Sequence, residues 1–116
     1  MKISEVLDRN EATIQAEIYR LLKNDSINCY LEIKIKNPYR KLNSIVDIVI
    51  CDSDDNIIYF IEVKARDRDK AVKTSKAKAP QKLRYKEISE YYDIPFLYCY
   101  GKDEIAQTVK TIKSCF

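Results

Sequence analysis

Asp47 and the triplet Glu62-Val63-Lys64 are the residues of this sequence best suited to chemistry. They interrupt two apolar runs. Ile45, Val46, Ile48, Val49 and Ile50 surround the aspartate, while Ile57, Ile58, Tyr59, Phe60 and Ile61 lead into the glutamate. Both runs read as central strands, apolar on both faces, where a carboxylate buried without compensation costs several kcal/mol. With the acidic stretch 52–56 as the turn, an antiparallel register sets Asp47 roughly opposite Glu62, with side chains within about 5 Å if they share a face. Two carboxylates that close repel unless a cation lies between them. Magnesium takes a few carboxylate oxygens in octahedral geometry and keeps several waters. Asp47, Glu62 and the backbone carbonyl of Val63 offer such oxygens. Lys64 shares a strand face with Glu62, because side chains repeat every second residue, so its ammonium serves the same site.

The elements that must position these residues follow from periodicity. Ile14, Ile18, Leu21 and Leu22 lie at helical spacing, which predicts a first helix over residues 10–23 with Asn10 as N-cap. Glu11 lies on that apolar face and Glu17 projects to its side. Residues 29–36 alternate Cys29, Leu31, Ile33 and Ile35 with Tyr30, Glu32, Lys34 and Lys36, a half-exposed strand that ends at Asn37-Pro38. The hairpin 44–64 follows. Residues 66–78 carry too little apolar content to build core and read as a loop or a fraying helix start. Pro80 suits the first turn of a second helix, with Gln81, Tyr85, Ile88 and Tyr92 on one face and an end near residues 93–95. Residues 95–100 read as a buried strand. A closing helix places Ile105, Val109, Ile112 and Phe116 on one face. The order is α-β-β-β-α-β-α, which predicts an α/β single domain over residues 1–116, a central mixed sheet flanked by helices.

Composition narrows the chemistry. The 116 residues are 46% hydrophobic and 34% charged, enough for one core and too few for two. There is no histidine, which removes Ser-His, Cys-His and histidine-based metal catalysis and leaves carboxylates, lysine, tyrosine or a metal ion. The four cysteines, Cys29, Cys51, Cys99 and Cys115, form no C-x-x-C pair. They read as small buried residues of a reducing compartment. No apolar run approaches the roughly 20 residues of a membrane span, and the N-terminus lacks a secretory pattern. A cytoplasmic protein with no membrane partner is the expectation.

Net charge is +3, but it is unevenly spread. Residues 64–86 hold ten basic side chains against two acidic ones, a net +8, which leaves −5 for the rest of the chain. A cationic band on an acidic body suits a polyanion, most often nucleic acid. A solvated basic loop explains the charge equally well on its own.

The element order and these residues resemble the PD-(D/E)XK nuclease superfamily from about Glu11 to Tyr100. Asp47 and Glu62-Val63-Lys64 carry the signature, and Glu11 is the best match for the helical glutamate of many members, with Glu17 as its substitute. Gln81-Lys82-Leu83-Arg84-Tyr85 is similar to the Q-x-x-x-Y motif of the RecB-like branch. The run from Tyr30 to that motif is also similar to the N-terminal nuclease domain of type I restriction-enzyme motor subunits. Val46 stands where the superfamily name has proline.

The resemblance implies a restriction-endonuclease-like fold and a magnesium-dependent deoxyribonuclease, with manganese as a substitute metal. Asp47, Glu62 and the Val63 carbonyl would bind the metal, with Glu11 as an outer ligand. Lys64 would orient or activate the attacking water. Gln81 and Tyr85, neighbours on one helix face, would bind the DNA backbone or the metal's water shell. Arg66, Arg68, Lys70, Lys73, Lys76, Lys78, Lys82 and Arg84 would grip flanking phosphates, a salt-sensitive and sequence-indifferent contribution. A homodimer or a separate motor or specificity subunit would complete the machine. A Holliday junction resolvase-like nuclease and a non-catalytic nucleic-acid-binding domain of the same fold are the alternatives.

Overall fold

A computed structural model describes residues 11–65 and 79–116. The basic run formed by Arg66, Arg68, Lys70, Lys73, Lys76 and Lys78 lies outside the described residues, as does the expected N-cap Asn10.

Helix α1, Glu11–Asn24, forms on the spacing of Ile14, Ile18 and Leu22, all buried. Its last turn closes through Ile27 N–H to the Leu22 carbonyl, with Ser26 in the left-handed region at φ 61°. Strands β1, Asn28–Ile35, β2, Ser44–Cys51, and β3, Ile57–Lys64, run antiparallel in that order. The turn between β2 and β3 is built by Asp52, whose carboxylate accepts the N–H groups of Asp54 and Asn56, each at 2.9 Å. Helix α2, Ala79–Tyr92, returns the chain to β4, Phe96–Tyr100, which pairs parallel with β3. A 3-10 turn, Lys102–Glu104, then leads into α3, Ile105–Lys113. Among the described residues this is an α/β fold with a four-stranded mixed sheet and three helices.

The sheet separates two apolar layers. On one side Ile48, Ile50, Ile61, Val63 and Cys99 pack with Ile14, Ile18 and Leu22 of α1 and Val109 and Ile112 of α3. On the other, Val49, Cys51 and Phe60 pack with Tyr85 and Ile88 of α2. β2 and β3 are thus central strands with apolar residues on both faces, in line with their composition.

Two expectations need correction. Leu31 is exposed rather than inward, and Cys29 and Ile35 lie in opposite layers despite sharing a parity. The cause is local: Leu31 pairs with Ile48 and Ile33 with Val46, but Glu32 and Asp47 between them are unpaired, and Glu32 stands at φ 52°. The strands change face there, and Val46 joins the α2 layer while Ile48 faces α1. At the C-terminus α3 ends at Lys113, so Phe116 extends beyond the helical stripe and is exposed.

Gly101, the chain's one glycine, sits at φ 73°, ψ 171°. Only glycine occupies that region without strain. Its N–H donates to the Lys64 carbonyl at 2.7 Å, so the turn after β4 fixes the end of β3.

Candidate functional site

The ladder between β2 and β3 stops at Ile48 and Ile61. Continued by one step, it would pair Asp47 with Glu62. Instead Asp47 turns its carboxylate into the gap, and Oδ2 accepts the Val63 N–H at 2.8 Å. In a strand, the N–H and C=O of one residue point to the same edge. The Val63 carbonyl therefore also faces this fork, while the neighbouring Lys64 carbonyl faces β4.

Glu62 and Lys64 project from β3 into the layer covered by α2. Both are buried, at 4% and 7% exposure. Lys64 Nζ lies 3.4 Å from Glu62 Oε1 and donates to Gln81 Oε1 at 2.8 Å. Gln81 in turn donates from Nε2 to the Tyr85 hydroxyl at 3.1 Å, and that hydroxyl donates to the Ile45 carbonyl at 3.2 Å. Gln81 and Tyr85 face the sheet together because they are one helical turn apart on α2. The chain of bonds runs from β3 through α2 to β2 and spans the fork.

One acceptor is left over: Glu62 Oε2 is buried and has no hydrogen-bond partner. A buried carboxylate oxygen in that position is costly. Its electrostatics carry the same message. Burial, then the neighbouring Asp47 charge, push the Glu62 carboxyl up to about 8, against the pull of Lys64. Burial also raises Asp47, opposed by the Val63 N–H, a hydrogen bond with Glu62 and the charge of Lys64, while the charge of Glu11 adds to the rise. Without a cation, the pair meets its mutual repulsion by holding a proton.

Among the described residues, no group of three or more His, Cys, Asp and Glu side chains gathers to hold a metal ion. Two carboxylates and a main-chain carbonyl at the fork are a sparser set. They fit a hard cation that keeps most of its waters, and the unpartnered Glu62 oxygen is the observation that favours one.

The remaining expected residues fall in two groups. Glu11 is exposed at the start of α1 rather than on its inward face, because the buried stripe begins one turn later at Ile14 and Gln15; its charge still reaches Asp47. Glu17 pairs with Arg20 at 2.6 Å on the helix surface. Tyr85 is 5% exposed, its ring stacked on Phe96 with centroids 4.8 Å apart, and its hydroxyl holds Gln81. Lys82 and Arg84 are exposed on different flanks of α2, Lys82 toward β4 and Arg84 toward residues 40–42.

Sequence reasoning missed Tyr98 and Tyr100. The parallel register sets Glu62 beside Tyr98 and Lys64 beside Tyr100, on the same face. Burial, then the Glu62 charge, push the Tyr98 phenol up to about 12. The alternation Phe96, Tyr98, Tyr100 was the available signal, but only parallel pairing with β3 gives it meaning.

The chain was compared with family models, curated proteins and solved structures, and no match was found in any of the three.

Proposed function

We propose that this chain is a magnesium-dependent DNA endonuclease of the PD-(D/E)XK type, with a restriction-endonuclease-like fold. The observation that carries the reading is the fork between β2 and β3. The half-buried carboxylate of Asp47 and the buried Glu62 and Lys64 converge there, and one carboxylate oxygen, Glu62 Oε2, lacks a partner. A domain that only bound nucleic acid would gain nothing from so costly an arrangement.

Asp47, Glu62 and the Val63 carbonyl are the groups that would hold magnesium. When bound, the ion neutralises phosphate oxygens and lowers the pKa of a coordinated water. The chain's own residues do the rest. Asp47 is fixed through Oδ2 by the Val63 N–H, so its orientation is set before any ligand arrives. Lys64 is held by Gln81 and offers an ammonium to a phosphate or to the attacking water. Tyr85 holds Gln81 in turn. Exposed Lys82 and Arg84 supply phosphate contacts on α2, with the basic run 66–78 as the further proposed grip. One such site cuts one strand at a time, so a double-strand break needs two copies, a second subunit or two successive nicks.

The test is incubation with linear, circular, single-stranded and four-way-junction DNA, with magnesium or manganese and with chelator. Metal-dependent cleavage that Asp47→Ala abolishes supports the reading. Absence of cleavage on every substrate, or cleavage untouched by Asp47→Ala, overturns it.

A further inference from the structure

Among the described residues β4 is an edge of the sheet, and along it Phe96, Tyr98 and Tyr100 point to the α2 side. Their rings stack in series, with centroids 6.1 and 6.0 Å apart, and Tyr85 caps the Phe96 end. Between this aromatic wall and α2 runs an open groove of about 450 Å³. Its other wall holds Lys82, Lys86 and Glu90 on successive helical turns, all exposed, two cations to one anion. Lys86 Nζ lies 3.9 Å from Glu90 at the surface, too loosely held to be withdrawn from a ligand. The inner end of the groove adjoins the reacting strand, because Tyr98 and Tyr100 are the β4 neighbours of Glu62 and Lys64.

An aromatic wall faced by two ammonium groups matches one nucleotide: a planar base against the rings and lysine stems, and its phosphates at the rim. A base inside a duplex is covered on both faces and shows the groove only its edges, so it has to leave the stack to enter. We propose that this groove holds the base of an unpaired nucleotide next to the scissile phosphate, so that the substrate is DNA with a locally unpaired stretch rather than continuous duplex. The inference rests on the nuclease reading and adds a substrate class to it.

The test is equilibrium binding of the full chain, in chelator, to a duplex with one unpaired 2-aminopurine and to its fully paired counterpart. Stacking of one base is expected to favour the unpaired site by about tenfold and to quench its fluorescence. Tyr98→Leu should remove the quench and most of the tenfold gain, and Tyr98→Phe should keep both. Lys86→Trp, on the exposed rim, fills the groove without touching the core and should also remove the quench. Equal affinities without quenching, or a quench that survives Lys86→Trp, overturn the inference. Metal-dependent cleavage of the paired duplex in the same preparation would then leave the nuclease reading standing. Failure to bind either DNA overturns both.

Discussion

The β2–β3 hairpin carries an acidic cluster at each end, and the two are opposites. At the turn, Asp52 accepts three hydrogen bonds, from Asp54 and the main chain and side chain of Asn56. Asp55 accepts from Asn28 and from the Tyr30 hydroxyl. These donors hold both carboxyls below the usual range, and water covers them. At the fork, burial raises both Asp47 and Glu62, the Asp47 charge raises Glu62 further, and Glu62 keeps an oxygen with nothing to accept. Carboxylates that organise a turn come with their donors. At the fork Asp47 has one donor, the Val63 N–H, and Glu62 Oε2 has none.

The largest test of that contrast is Asp47→Ala. Cleavage should fall by on the order of 10³-fold, the scale of losing one preorganised charge-stabilising group, while DNA binding in chelator persists. A gel assay against a salt-matched binding curve checks it. Asp52→Ala at the other end should leave cleavage unchanged.

Next in size is a pH effect on stability. The Glu62 carboxyl is raised from 4.5 to about 8 in the folded protein, so the folded state binds the extra proton between those values. Its contribution is fully present below pH 4.5 and is lost as pH rises toward 8, at up to about 1.4 kcal/mol per pH unit. Melting temperature measured without metal should fall across that window. Magnesium, or Glu62→Gln, should flatten the slope; an unchanged slope in Glu62→Gln would assign it elsewhere.

A smaller effect is expected at the helix that supports the fork. Gln81→Leu removes the acceptor that holds Lys64, and cleavage should drop about 10- to 100-fold, as when an outer partner of a reacting group is lost. Single-turnover rates and thermal melts separate this from unfolding. Asp52→Ala completes the series with the smallest change, a fall in melting temperature of a few degrees. The sign of its pH dependence is the reverse of that at the fork: because the Asp52 carboxyl is lowered, its contribution is present above its ordinary range and lost as pH falls through it.

Much of this hairpin was legible in the chain. Apolar runs marked the strands and the acidic stretch marked the turn, which set Asp47 roughly against Glu62; the register shift between Ile50 and Cys51 makes that alignment exact. Three things were not legible. The strand change of face at Glu32 needs a positive φ that no local residue announces. The raised Glu62 carboxyl depends on burial under α2, whose outward Leu83 and Tyr91 blur the pattern of its inward Tyr85 and Ile88. The place of Tyr98 beside Glu62 depends on a parallel pairing that the α2 crossover brings about and no adjacent sequence encodes.

Gly101 has a consequence that reaches beyond its turn. Lys64 is tethered twice, its carbonyl by the Gly101 N–H and its ammonium by Gln81. Ordering a lysine side chain costs up to about 2 kcal/mol in rotamer freedom, and here folding has already met that cost. An anion arriving at the fork meets a cation that has no freedom left to lose.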